Sequence, residues 1–468
     1  MLDVSSDEIT SDSLPRVLVL LAAPLIVQNL VQVAQLVVDT FWVGRISQDA
    51  VSAVGLTYPV TALLMAAGVL GPTIGTQVIV SQRTGSDDVT GARRIAIHGI
   101  ALGVGFGTII AGLTLLVPGR IVDVLNASGN VARLATIYLS TYALCFPFVG
   151  LSDTIEGGFL GWGDSRAALY LNVIAVVVNI GLDPFLIFGI GPFPALGIKG
   201  AALATVIGYG TGAVFATAMV LGFRDTFNLT RDAIDFSLRE FYELLDVGLP
   251  TTGQRLAQDV VRVVIVWIVA TAGGGPALAA YMIGARVASI SFIPATGLQQ
   301  AATSIVGQNL GADQSDRARR TTWVGVALAG GVLTVIGGIQ WLIPVPLTEL
   351  FVPDIGPEAL ELTVLYLKIL AIGYWAIGAS YLIRGGFNGA RRTRTSMVMS
   401  MLQYWAVRLP IAAGGVFLLE FGVEAVFWAV TLSNIAAAVG GGIYYWYSTS
   451  QGMFRQAAKE ATSDAAAD

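Results

Sequence analysis

"VSQRTGSDDVTGARR" occupies residues 80–94 and "VGQNLGADQSDRARR" occupies residues 306–320. The two stretches match at a constant offset (308 − 82 = 226), which pairs Gln82 with Gln308, Gly85 with Gly311 and Arg94 with Arg320. The same offset pairs Pro24 with Pro250, Gln28 with Gln254 and Gln32 with Gln258. Further on, "GGFLGWGDSR" (157–166) resembles "GGFNGARRTR" (385–394). Self-similarity at a fixed spacing marks an internal repeat, so the chain reads as two homologous halves.

Outward from these arginine-bearing stretches the sequence is apolar. The chain has 468 residues, 55% hydrophobic and 12% charged, with a mean hydropathy of +0.73. Soluble domains carry roughly 25% charged residues, so a bilayer must be the solvent for most of this chain. A span needs about 20 mainly apolar residues. Such runs fall near 17–42, 50–80, 92–116, 134–156, 167–189 and 198–222, and again near 247–271, 278–305, 319–342, 361–385, 395–417 and 424–447. The fold expected is an all-α membrane protein of about 12 transmembrane helices in two six-helix lobes. Residues 1–16 form an N-terminal tail, 17–222 the first lobe, 223–246 a polar linker, 247–447 the second lobe, and 448–468 a polar, Ala-rich tail with a disordered end. The linker holds Arg224, Asp225, Arg231, Asp232, Asp235, Arg239, Glu240, Glu243 and Asp246.

Arginines set the orientation. Arg83, Arg93 and Arg94 follow the second run, Arg317, Arg319 and Arg320 the eighth, and Arg391, Arg392 and Arg394 the tenth. The loop with Glu349, Asp354 and Glu358 has no basic residue. Both termini are therefore expected on the cytoplasmic side. Residues 1–16 hold four acids and one arginine, Arg16, unlike the start of a cleavable signal. Six spans per half insert with the same topology, as parallel repeats about an axis along the membrane normal.

Several function classes drop out. A single cysteine, Cys145, excludes disulfides within the chain and Cys-based metal sites; in its apolar run it reads as a small buried hydrophobe. A single histidine, His98, leaves no two-histidine zinc site and few hydrolase triads. Beside Arg93 and Arg94, His98 reads as a solvated interfacial residue. No enzyme and no cofactor are expected, and no basic domain suggests nucleic acid.

Polar residues deep in a span cost several kcal/mol and are functional candidates. Gln28, Gln32, Gln35 and Asp39 step by four, three and four, so they share one face of the first helix. That stripe either lines a wet cavity or bonds a partner helix. In the second half it decays, Gln35 becoming Val261 and Asp39 becoming Ile265. Asp183, in "VVVNIGLDPFLIFG", has Asn179 four residues earlier on the same face. Pro184 frees the carbonyl of Ile180. These oxygens suit a proton or Na⁺; alternatively Asp183 ends its helix and bonds local backbone. If Asp39 and Asp183 face each other their titrations couple, which is a physical basis for proton coupling. Asp259 and Arg262 are three apart and read as an ion pair, which Arg286 and Arg408 can join. Asp153 and Glu156 read as solvated at an interface. Pro24 is either a hinge or a plain kink.

With these residues in view the chain resembles a MATE (multidrug and toxic compound extrusion) transporter over nearly its whole length. The specific pieces are "LVVDTFWVGR" (36–45), "NIGLDPFLIFG" (179–189) and "GIKGAALAT" (197–205), similar to the prokaryotic branch named for the DNA-damage-inducible F protein. The resemblance implies alternation between outward-open and inward-open states and export of cationic, amphipathic compounds driven by H⁺ or Na⁺ entry. It implies that Asp39 and Asp183 bind the cation, with Asn179 and Thr205 as neutral partners. Gln28, Gln32 and Gln35 are then substrate-pocket residues, and Pro24 a bend that follows protonation. Thr205 alone would read as a packing residue beside Ala202 and Ala204. The resemblance also implies a monomer in the plasma membrane with a small organic substrate. Other branches carry acids in helices 7 and 10; here "YWAIGASYLIRGG" (374–386) has none, and Leu160 and Glu156 are unusual in helix 4. The rival reading is a flippase for lipid-linked sugars, which would favour a basic cavity. Gln and Asp in the deep stripe argue against it, and neither a membrane enzyme nor a channel fits the residues.

Overall fold

The computed structural model describes residues 6–224, 227–230 and 233–466, and no strand occurs among them. The linker charges Asp225, Arg231 and Asp232 lie outside the described residues, as do residues 1–5 and 467–468. In a bilayer an apolar run must satisfy its backbone internally, so it folds as helix. All twelve apolar runs are helical. Among the described residues nine helices, or ten with one bent pair, are long and apolar enough to cross a membrane by themselves.

In chain order the elements that carry the twelve runs begin with α1 Leu14–Gly44, α2 Gln48–Gly85, α3 Val89–Leu116, α4 Gly129–Trp162, α5 Ser165–Phe188 and α6 Ile198–Gly222. Next comes α7 Leu238–Ser291, which breaks at Gly274 (φ 61°, ψ −148°) and so contains the seventh run and the start of the eighth. The eighth ends in α8 Ile293–Gly311, and α9 is Ser315–Leu342. A bend of 51° divides α10 into Pro357–Ile372 and Tyr374–Gly389. The eleventh, α11, covers residues 393–417 and has a π-helical middle, Leu402–Arg408. The last span, α12, is Glu424–Ser450.

Loop chemistry sets the helix starts. Ser47, Asp88 and Asp164 accept from Ala50, Gly91 and Ala167 N–H and cap α2, α3 and α5. The repeat is visible in the backbone as well: Asp87 and Asp313, 226 apart (313 − 87), both adopt left-handed φ, 59° and 55°.

By contact the chain forms two units, apart from a few terminal residues. The first is Val27–Thr252; the second is Asp7–Ile26 with Gly253–Asp464. The changeovers, inside α1 and α7, are again 226 residues apart (253 − 27). The first unit's core includes Val78, Ile79, Phe159, Leu171 and Phe227. The second is centred on Val261, Ile265, Tyr366 and Phe427, with the Tyr366 and Phe427 rings stacked at 4.4 Å.

The tail departs from expectation. Met453–Ala466 is a helix that buries Phe454, Ala457 and Ala458 against Leu310 and Tyr445. Its alanines give helix propensity and a face flat enough to pack, which the polar composition concealed.

Candidate functional site

Within the first unit α1 meets α4 and α5 through a ladder of polar pairs. Asn172, Asn179 and Asp183 step by seven and four along α5 and share a face. Gln28 Nε2 donates to Glu156 Oε1 at 2.8 Å, Gln32 Nε2 to Asn172 Oδ1 at 3.0 Å, and Gln35 Nε2 to Asn179 Oδ1 at 2.7 Å. Asp39 meets Asp183 at the end of the ladder, within side-chain hydrogen-bonding reach. Such interhelical bonds contribute about 0.6–1.7 kcal/mol each in a membrane.

Both readings of the glutamine stripe hold in part. Gln28 is buried and committed to Glu156. Gln32 is exposed and Gln35 half-buried, and both line a cavity of about 20 Å³ with Asn172, Asn179, Thr205 and Tyr209. That volume suits about one water or a bare ion.

Asp183 does not end its helix; α5 continues to Phe188 and is capped by Gly189 (φ 74°). Its side chain is 1% exposed, as is that of Asn179. One carboxyl oxygen, Oδ2, is buried with no partner. Ionised carboxylates only accept hydrogen bonds, so the contact between Asp39 and Asp183 holds a proton or yields to a cation. Asn179 Nδ2 donates to Thr205 Oγ1 at 3.4 Å. In the opposite amide orientation, which excludes that bond, Asn179 donates instead to Asp39 Oδ1 at 3.2 Å. The close approach of α6 is licensed by Gly208, where a Cβ would fall 2.7 Å from Ala175 O and 2.9 Å from Asn179 Cβ. The structure thus brings Asp39, Asp183, Asn179, Thr205 and Gln35 together. These oxygens, one of them orphaned, suit a small cation. Pro24 lies in the unbroken helix α1, on the stretch that packs with the second unit.

Glu156 was expected at a solvated interface and is instead buried, accepting from Gln28 and from Asn172 Nδ2 at 2.7 Å. Its partners lie 128 and 16 residues away, so local sequence could not reveal them. Asp153 is half-buried. Asn172 was overlooked; its seven-residue spacing from Asn179 was the available signal. His98 is also buried, not solvated: its Nδ1 lies 2.8 Å from Arg94 O, and its Nε2 accepts from Ser237 N–H at 2.9 Å. Phe236 and Phe241 enclose the ring. Cys145 is buried. Asp259 pairs with Arg262 at 3.0 Å and with Arg255 at 3.1 Å. Arg408 does not join them, bonding Ser433 and Asn434 instead, and Arg286 is exposed with no ion pair among the described residues.

The MatE family model matches residues 24–185 and 250–413. The chain belongs to the MatE family of membrane transporters. Its members are not enzymes. The two matched segments begin at Pro24 and Pro250, in register with the internal repeat. Among curated relatives, a probable multidrug resistance protein NorM of Thermotoga maritima is 27% identical over 400 residues, covering 84% of each chain. An FAD transporter of Shewanella oneidensis is 24% identical, covering 91% of this transporter and 92% of that one. Among solved structures, an outward-facing multidrug-resistance MATE transporter superposes with a TM-score of 0.89 at 22% identity, over 98% of this chain and 99% of that one. The fold is therefore shared.

Proposed function

We propose that this transporter is a secondary antiporter that exports cationic or amphipathic small molecules against entry of H⁺ or Na⁺. The observation that carries the reading is the contact of Asp39 with Asp183 beside Asn179, in a chain whose curated relatives include NorM-type multidrug resistance proteins. A cation entering the first unit binds at the two carboxyls, with Asn179 and Thr205 supplying neutral oxygens. Binding removes the carboxyl-to-carboxyl contact and so changes what holds α1 against α5. Substrate and cation exchange because both bias the same two-state element, here α1 with Pro24 as its bend. The chain's motifs resemble those of the DNA-damage-inducible F branch, which supports assigning it there. The loop arginines put both termini in the cytoplasm of a cell whose plasma membrane holds the carrier as a monomer.

The test is uptake of a fluorescent organic cation into inside-out proteoliposomes under an imposed pH gradient or an imposed Na⁺ gradient. Uptake that follows one gradient and is lost in Asp183→Asn and Asp39→Asn establishes antiport and names the ion. Both variants running at the wild-type rate under each gradient would remove the two acids from coupling. No uptake by the wild type under either gradient would favour a lipid-linked sugar flippase.

A further inference from the structure

The second unit carries a charge arrangement opposite to the first. Aligning "GGFNGARRTR" with "GGFLGWGDSR" (385 − 157 = 228) sets Arg384 opposite Glu156, Tyr381 opposite Asp153, Ser380 opposite Ser152 and Ser400 opposite Asn172. The alignment holds in three dimensions: Asn172 bonds Glu156, and Ser400 bonds Arg384. At the place where the first unit buries a carboxylate, the second buries a guanidinium.

Arg384 is 6% exposed and meets only neutral oxygens: Gln403 Oε1 at 3.2 Å, Ser400 Oγ at 3.4 Å and Ser380 Oγ at 3.5 Å. Arg408, 8% exposed, donates to Ser433 Oγ and Asn434 Oδ1, each at 2.9 Å. Gln403 Nε2 donates to the same Asn434 oxygen at 2.7 Å, so the two arginines share one network. No carboxylate pairs with either arginine among the described residues. The guanidinium of Arg408 lies 4.2 Å above the Tyr404 ring, and that of Arg384 lies 4.8 Å above Tyr381. Arg262, half-exposed and paired with Asp259, lies near Tyr404 and links the network to the surface of the unit. Gln403, Tyr404 and Arg408 all sit on the π-helical stretch of α11, a distortion common at functional sites.

Two buried cations without a counter-ion are costly in a membrane protein. Neutral serine, glutamine and asparagine oxygens orient them without neutralising them. Arginine forks match carboxylate and phosphate, and tyrosine walls suit an aromatic or apolar body. We propose that Arg384 and Arg408, reached past Arg262 and Tyr404, form an anion subsite for the carboxylate or phosphate of an amphipathic organic anion. This rests on the exporter reading only for the solute's fate; the binding itself is independent of transport.

The probe is fluorescein, an aromatic anion, titrated against the full-length transporter in phosphatidylcholine nanodiscs and followed by fluorescence polarisation. Rhodamine 6G serves as the cationic control. In the double variant Arg384→Gln/Arg408→Gln the fluorescein Kd should rise at least tenfold while the rhodamine Kd stays within twofold. Arg262→Gln, at a half-exposed position, should raise it about threefold without disturbing folding, which keeps the test valid if the double variant is unstable. Nanodiscs with one-third phosphatidylglycerol separate the sources. Competition with fluorescein identifies a lipid headgroup phosphate as occupant; no competition identifies a soluble anion. Either result supports the subsite. Wild-type protein that does not bind fluorescein in phosphatidylcholine, or Arg262→Gln and double variants that bind it as tightly as wild type, would overturn it. Because binding is read at equilibrium, failure here leaves cation-driven uptake untouched, and failure of uptake leaves this result standing.

Discussion

Gly208→Ala tests whether the closeness of α5 and α6 is what assembles the proposed cation site. The added Cβ would meet Ala175 O at 2.7 Å and Asn179 Cβ at 2.9 Å, whereas ordinary contact begins at 3.4 Å. Relief requires a shift of about 0.5–0.7 Å between the helices, taken directly at Asn179. Overpacking of this kind costs about 1–3 kcal/mol. The same helix supplies a control, since a Cβ at Gly210 meets nothing within 4 Å. Both substitutions raise helix propensity by up to about 1 kcal/mol, so the difference between them isolates the clash. Gly208→Ala should be about 1–3 kcal/mol less stable than Gly210→Ala in reversible denaturation from detergent. A displacement of about 1 Å costs a preorganised site about 100-fold, so half of that should slow gradient-driven uptake about tenfold in Gly208→Ala only. If the two variants match in both stability and uptake, Gly208 does not set the geometry of Asn179, and the account of the site is wrong.

Other outcomes follow from the same geometry. Thr205→Val removes the hydroxyl that accepts from Asn179 at 3.4 Å; a net hydrogen bond of about 0.5–1.5 kcal/mol translates to roughly a 2–13-fold higher half-saturating concentration of the proposed coupling ion, with Thr205→Ser near wild type. Glu240→Gln weakens contacts to Arg83 at 3.3 Å and Arg94 at 2.7 Å. Since Glu243 and Asp88 still face Arg83 at 3.5 and 3.8 Å, the loss in denaturation experiments should be about 2–4 kcal/mol, below the full range for a broken buried pair. Arg317→Ala removes donors to the carbonyls of Ile9 and Asp12; amide exchange in Ser6–Ser11 should quicken while α9 stays protected.

The architecture was legible because its signals are periodic and long: twelve apolar runs and a repeat that recurs in Asp87 and Asp313 at the level of φ. The polar stripe was legible for the same reason, since Gln28, Gln32, Gln35 and Asp39 obey helical spacing, as do Asn179 and Asp183 on α5. What stayed hidden depends on pairings between distant segments. Glu156 resembles any acid near a span end until Gln28, 128 residues away, is placed against it. His98 is enclosed by residues 236–241, a segment whose position no local pattern dictates. Arg408 reads as an ion-pair candidate because the expected partner of a buried arginine is a carboxylate, and Arg384 carries no signal of its own in the sequence. Their serine and amide partners become visible only once α10, α11 and α12 are packed.

The changeovers at Ile26 and Thr252 have a consequence for how the chain can be divided. A single cut in the polar linker, the natural place to look for modularity, does not release two self-sufficient pieces. The leading fragment would carry Asp7–Ile26, which the second unit uses, and lack 238–252, which the first unit uses. Each fragment is missing a stave that only the other can return. Fragments made separately should therefore be unstable and fragments made together should complement.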